Sequence, residues 1–200
     1  MTGSGVDQAW ALLAGLDPAE VCVRTAATFE TAAGRYALPS FGQIVHVSPV
    51  SRIVTSASPE GERLVSRFQH FSTLSILWYL IRARDIPPSQ RLVGPADTQA
   101  GAIYFNGSHV LPLDRIATRY GNDRSGFLQK GEALKGEPMS FGDASLRLRP
   151  FPRLPVVLIL READDEFPAS MDLLFDSTGE QQVPADILWS SAMLTLLMMQ

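Results

Sequence analysis

Four carboxylates crowd into five residues at Glu162, Asp164, Asp165 and Glu166, just beyond the five aliphatics Val156 to Leu160. Carboxylates this close repel one another, so such a group is either well solvated or there for a partner. Two chemistries suit it. Oxygen ligands hold hard cations such as magnesium or calcium, and a carboxyl whose pKa is raised by its surroundings can act as a general acid or base. The D-x-D-x-D-G spacing of a calcium loop is missing, however. The plainer reading is a solvated turn in which one acid caps Phe167-Pro168 or pairs with Lys130, Lys135 or an arginine.

The segment Phe105-Asn106-Gly107-Ser108-His109 is the second candidate. Asn-Gly favours a tight turn and places His109 on a loop, where an imidazole can serve as base or ligand. Ser108 and His109 are adjacent and point to opposite sides of an extended chain, so they do not form a nucleophile pair; the plainer role for His109 is a hydrogen bond within its loop. His46 and His70 belong to other elements, with no zinc-binding spacing among the three histidines. Cys22, flanked by Val21 and Val23, reads as core packing. Arg147, Arg149 and Arg153 form either an anion-binding stripe or a solvated strand face. The glycine-rich phosphate loops G-x-x-x-x-G-K-[ST] and G-x-G-x-x-G are absent.

The elements that would position these groups are legible from periodicity. A short helix over Val6 to Leu16 precedes a second one opened by Asp17-Pro18-Ala19-Glu20, with an acid at the N-cap and proline in the first turn, running to about Phe29. Gln43 to Val47 alternates and pairs with Arg52 to Thr55 as a hairpin. The strongest helical pattern spans Gly61 to Arg84, with Leu64, Phe68, Phe71, Leu74, Trp78 and Ile81 at spacings of three and four. Short strands are expected at Leu92 to Gly94 and Ala102 to Phe105, and short helices at Asp114 to Tyr120 and Gly126 to Leu134. Ser145 to Arg149 should pair with Val156 to Arg161, with a third strand at Asp172 to Phe175. Pro184-Ala185-Asp186 starts the C-terminal helix.

A six-residue turn from Pro150 to Pro155 sets Arg149 opposite Val156, Arg147 opposite Leu158 and Asp143 opposite Glu162. Asp143 then joins the acids, while the arginines lie on the order of 15 Å away at the turn end, at about 3.3 Å per residue. The ligand-binding set is therefore His109, Asp143, Asp164, Asp165, Glu166 and Phe167.

Composition narrows the function classes. The 200 residues are 46% hydrophobic and 19% charged, with a net charge of -4, and the pI is near 5.4. An ordinary globular mixture follows, one domain over residues 1–200, and an acidic balance that disfavours nucleic acid as partner. A single cysteine allows neither an internal disulfide nor a thiolate metal cage and fits a cytoplasmic setting. The apolar stretch Ile187 to Met199 is too short to span a membrane. No fixed-period repeat or Gly/Ser linker divides the chain. The fold expected is α+β, with small antiparallel sheets packed against a long central helix and a C-terminal helix.

Phe-Asn-Gly-Ser-His-Val-Leu-Pro-Leu at 105–113, Phe-Gly-Asp-Ala at 141–144, Pro-Arg-Leu-Pro-Val at 152–156, Asp-Asp-Glu-Phe-Pro-Ala at 164–169 and Leu-Leu-Phe-Asp at 173–176 follow one another in an order that resembles the bacterial and archaeal family known as domain of unknown function 3786. The resemblance extends from Leu77-Trp78-Tyr79-Leu80 to Pro184-Ala185-Asp186. It implies an intracellular single domain, in some relatives joined to an iron-sulfur cluster-binding module, and so a redox or metallocofactor setting. With one cysteine, this chain would take any such cluster from a partner protein. The family carries no established activity, so the resemblance names no cofactor.

Three functional expectations follow. The first is a non-catalytic domain that binds a small ligand, cation or partner protein near Asp164 to Phe167 and His109. The second is a metal-assisted hydrolase with the carboxylates on magnesium or manganese and His109 as base. The third is a structural homodimer built on the C-terminal helix.

Overall fold

The Asp17 side chain accepts a hydrogen bond from the Ala19 N–H at 3.1 Å, and Pro18 opens the helix behind it. These local signals place α1 at Gly5–Ala14 and α2 at Pro18–Thr25 in a computed structural model that describes residues 5–98, 101 and 110–200. The expected strand at Ala102 to Phe105 and the turn carrying Ser108 and His109 lie outside the described residues. Helix α2 stops four residues short of Phe29. Thr25 turns its hydroxyl back onto the Val21 carbonyl at 2.7 Å, Ala26 takes left-handed backbone at φ 56°, and Phe29 enters a strand where its ring meets Tyr36 edge-on at 4.9 Å.

The first sheet is a four-stranded antiparallel meander of β1 Thr28–Glu30, β2 Arg35–Ser40, β3 Gln43–Ser48 and β4 Ile53–Ser56. The expected β3–β4 hairpin is present, with Val45 opposite Ser56 and Ser48 opposite Ile53. Two further strands precede it, because Phe41 and Gly42, at φ 48° and 72°, reverse the chain in two residues.

The strongest helical segment is broken into α3 Pro59–Glu62, a π-helical turn at Arg63–Arg67, and α4 Gln69–Arg82. The break falls at Phe68, whose buried ring lies 5.3 Å from the Arg63 guanidinium and 5.8 Å from that of Arg67. A π turn accommodates one extra residue per turn, which lets Leu64, Val65 and Phe68 all reach the core.

Beyond β5 Leu92–Val93 come α5 Leu113–Tyr120, α6 Arg124–Ala133, β6 Glu137–Met139, β7 Ala144–Phe151, β8 Leu154–Arg161 and β9 Ser170–Asp176, then α7 Gly179–Gln182 and α8 Ala185–Met199. The second sheet is antiparallel in the order β5-β9-β8-β7-β6, so the aliphatic run occupies its central strand. Leu154 to Leu160 are all buried, as a strand covered on both faces requires. One face carries Leu146, Leu158 and Leu173 in register, flanked by the row Ala144, Leu160, Met171 and the row Leu148, Val156, Phe175. These residues join α4, α5 and α8 and the inner residues of the first sheet in one contiguous core. The architecture is α+β with two antiparallel sheets. No helix among the described residues is long and apolar enough to cross a membrane.

The β7–β8 register differs by one residue from the six-residue turn expected. Leu148, not Arg149, faces Val156, and Arg147 faces Val157 rather than Leu158. The chain reverses over Pro152 and Arg153 alone, with Phe151 opposite Leu154, and a bulge at Arg149-Pro150 absorbs the surplus residue. The physical reason is Pro150, which has no N–H for the ladder. The bulge frees two carbonyls for the other sheet: Arg149 accepts the Phe41 N–H at 2.8 Å, and Pro150 accepts the Ser40 hydroxyl at 2.8 Å.

Candidate functional site

Asp143 sits in the turn before β7. Its N–H donates to the Leu160 carbonyl at 3.0 Å, and its Oδ2 accepts the Glu162 N–H at 2.8 Å. The side chain is thus a clasp between the β6–β7 turn and the first residue of the β8–β9 loop. Gly142 makes the close approach feasible. Its φ is 55°, and a Cβ there would lie 2.7 Å from both Ile159 Cγ2 and the Leu160 oxygen. Gly142→Ala should therefore cost about 1–3 kcal/mol, read as a lower urea midpoint with an unchanged slope.

The β8–β9 loop closes on itself through Asp164. Its Oδ1 accepts the N–H of Phe167 at 2.7 Å and of Glu166 at 2.9 Å, while its own N–H donates to the Phe167 carbonyl at 3.0 Å. The bonds from Phe167 and then Glu166 hold the Asp164 carboxyl below the usual aspartate range. The loop is also tied to the end of α5. The Ala163 N–H donates to the Gly121 carbonyl at 3.3 Å, and a Cβ on Gly121 would fall 2.3 Å from that of Ala169. An acid does cap Phe167, as the solvated-turn reading has it.

Asp143 and the Asp164–Phe167 segment thus occupy neighbouring turns at one end of the second sheet, while His109 lies outside the described residues. The oxygens of Asp143 and Asp164 that make these contacts are engaged by backbone donors. Asp165 and Glu166 are exposed. Among the described residues, no group of three or more His, Cys, Asp or Glu is placed to hold a metal ion. Glu162, Asp165 and Glu166 make no ion pair among them either. Beside these acids stand two apolar rings in water: Phe167 is 66% exposed and Phe141, in the β6–β7 turn, 42%.

The three arginines do not form one stripe. Arg147 and Arg149 converge on Glu137 of β6, at 3.4 Å and 3.0 Å. Arg153 turns away, donating to the carbonyls of Arg24 at 2.7 Å and Val23 at 3.0 Å and pairing with Asp85. Cys22 is half-buried and free, and burial pushes its thiol up. The His46 imidazole lies 3.4 Å from Glu30, and His70 is exposed on α4 against Phe71.

The most heavily bonded acid is one that sequence reasoning missed. Asp176, at the end of β9 and 3% exposed, accepts five hydrogen bonds. Its Oδ1 takes those of the Ser89 N–H and hydroxyl at 3.0 and 2.9 Å and of the Thr178 N–H and hydroxyl at 3.0 and 2.7 Å, and its Oδ2 takes that of the Gln90 N–H at 2.7 Å. It lines a cleft of about 220 Å³ shared with Gln90, Leu92, Arg147 and Arg149. Asp176-Ser177-Thr178 carried the local half of the signal, an Asp that bonds two residues ahead. The Ser89 half is 87 residues away and leaves no local pattern.

No curated protein and no solved structure matches the chain. The family described as Domain of unknown function (DUF3786) matches residues 17–198, which includes both sheets, the acid loop and the Asp176 latch. The chain belongs to the DUF3786 family.

Proposed function

We propose that this protein is a non-catalytic accessory domain that docks a partner protein through the β6–β7 turn and the β8–β9 loop. The observation that carries the reading is the exposure of Phe141 and Phe167 on turns that Asp143 and Asp164 hold in place. Exposed phenylalanine is unfavourable in water, and aromatic anchors set among polar groups are the usual centre of a protein interface. Rigid turns also lower the entropy lost on docking. With Glu162, Asp165 and Glu166 around them, the rings suit a partner surface that is basic around an apolar pocket. Docking is favoured over metal-assisted hydrolysis because Asp143 and Asp164 spend carboxylate oxygens on backbone N–H groups. The family resemblance points to an iron-sulfur or metallocofactor protein as that partner, and the lone unpaired Cys22 suits a reducing cytoplasm.

Affinity capture from the native extract tests this. The wild type should retain a protein that the Phe141→Ser, Phe167→Ser double variant loses at least tenfold, while the melting temperature of the variant stays within about 2 °C of the wild type, as for other exposed sites. Identical captured proteins for both forms would reject the reading.

A second reading, self-association, is favoured by the helical layer. Phe71, Leu74, Trp78 and Ile81 recur on one face of α4, and Trp189, Met193 and Leu197 on one face of α8; all are only half-buried, and the two rows meet where Phe71 and Trp189 lie 5.9 Å apart. Light scattering should then give twice the chain mass, reverting to a monomer in Trp78→Glu or Met193→Glu. A concentration-independent monomer in the wild type would dismiss it.

A further inference from the structure

The chain is acidic overall, yet it gathers four cations at one place. Arg63 and Arg67 come from the π turn, Arg119 from the last turn of α5 and Lys130 from α6; Arg63 feels the charges of Arg67 and Arg119, Lys130 those of Arg63 and Arg119, and Arg119 and Lys130 share one cleft. Among the described residues none of the four has an acidic partner within ion-pair distance, and residues 1–4, 99–100 and 102–109 contain no Asp or Glu. Glu60 is the acid that faces Arg63 and Lys130, without pairing with either. Asp123 is nearby, but its Oδ1 caps α6 by accepting the Gly126 N–H at 2.9 Å.

These cations repel one another in a partly dry setting. Burial, then Arg63 and Arg119, push the Lys130 ammonium below the usual lysine range. Arg63 is likewise pushed down by burial, Arg67 and Arg119. Its Nε is buried with no hydrogen-bond partner. Keeping such groups together without a counter-ion is costly, since a buried donor left unsatisfied and like charges at close range both destabilise the fold.

Part of the cluster has a structural task. Arg63 Nη2 donates to the Leu197 carbonyl at 3.2 Å and the Tyr120 hydroxyl to the Met199 carbonyl at 2.7 Å, so both serve the last turn of α8, where carbonyls lack helical partners. That task does not account for Arg119 and Lys130, which make no hydrogen bond among the described residues. Both instead line an open cleft of about 630 Å³ between α5 and α6, with Tyr120, Asp123 and Gln129. The Arg119 guanidinium stands 5.3 Å from the Tyr120 ring, a contact that orients it before any ligand arrives.

We infer that the α5–α6 cleft binds an oxyanion of the phosphate class, held by Arg119 and Lys130 and further attracted by the charge of Arg63 and Arg67. The lining cations outnumber the one lining carboxylate, that of Asp123, which caps α6, so the cleft favours an anion, and guanidinium geometry suits two parallel hydrogen bonds to phosphate oxygens. The cleft has room for an organic group esterified to the phosphate. The site adjoins the β8–β9 loop at Gly121 but uses none of the residues assigned to partner docking, and it does not depend on that reading.

Inorganic phosphate, titrated against sodium chloride at matched ionic strength and pH, provides the test. At a tenfold excess over its Kd, phosphate should raise the melting temperature by roughly 3–6 °C. Arg119→Gln and Lys130→Gln should each weaken binding about tenfold or more by calorimetry. Without phosphate, Lys130→Gln should melt at or above the wild-type temperature, because it relieves repulsion. A phosphate response no greater than that of chloride overturns the inference, as does a response that survives both substitutions. A Lys130→Gln variant that is destabilised and still responds to phosphate overturns it too, and assigns Lys130 to the fold.

Discussion

Asp176→Ala is expected to lower the unfolding free energy by about 3–5 kcal/mol and the melting temperature by about 6–20 °C, measured by urea titration and calorimetry. The substitution leaves the N–H and hydroxyl of the buried Thr178 without their acceptor and takes from the exposed Ser89 and Gln90 the carboxylate, itself 3% exposed, that holds their N–H groups. It also removes the carboxylate that joins residues 89–90 to Thr178, leaving the β5–β9 pairing, the Ser177 N–H bond to the Arg91 carbonyl at 2.8 Å and the Ser89–Ser177 hydroxyl contact at 2.9 Å to hold that segment to the end of β9. Asp176→Asn keeps one acceptor oxygen and should cost less. The acid dependence has a defined sign. Burial works against the ionised form, but the hydrogen bonds from Thr178 and Ser89 outweigh it and hold the Asp176 carboxyl below its ordinary value. The native state therefore releases this proton more readily than the unfolded chain does. Its stabilisation is complete above the ordinary aspartate pKa of about 4 and disappears as the pH falls through the lower native value. Asp176→Asn should flatten the stability profile in that acidic window; a profile unchanged from the wild type would refute the assignment.

Tyr79→Ala should be of similar size, about 3–5 kcal/mol, for a different reason. The ring is fully buried and stacks on Phe151 at 4.5 Å and 14°. Its hydroxyl donates to the Thr25 carbonyl at 2.9 Å and accepts the Arg153 N–H at 3.1 Å. Burial accordingly pushes the phenol well above its usual range. One side chain on α4 thus joins the end of α2 to the β7–β8 turn, where Arg153 also reaches the Val23 and Arg24 carbonyls. Tyr79→Phe retains the stacking and removes only the hydroxyl, so it should cost about 1–3 kcal/mol. Equal losses for the two variants would show that the ring contributes nothing, contrary to the packing.

These two effects lie where local sequence signals are weakest. The Pro18 and Ala185 helix starts, the β3–β4 hairpin and the buried strand β8 are each encoded within a few residues, by a cap, a turn or an unbroken aliphatic run, and each appears close to its expected position. Element ends were less legible. Phe29 belongs equally well to a helical apolar face or a short strand, and only its contact with Tyr36 decides between them. The β7–β8 register turned on a bulge at Arg149-Pro150, whose carbonyls are accounted for only by donors from a turn more than a hundred residues earlier.

The acid segment shows the same division. Local pattern was enough to show that a buried strand ends in a crowd of carboxylates and to bring Asp143 near Glu162, though the register is one residue off the direct pairing expected, because alternation and short-range pairing are local properties of the chain. The tertiary structure decided what the acids do: Asp143 and Asp164 bind backbone N–H groups and brace two turns, and Phe141 and Phe167 are left facing water. It also decided that Arg147 and Arg149 share Glu137 and that Asp176 is the most heavily bonded carboxylate. Each of these outcomes depends on a donor or charge brought from a distant part of the chain. Local spacing carries no record of such partners.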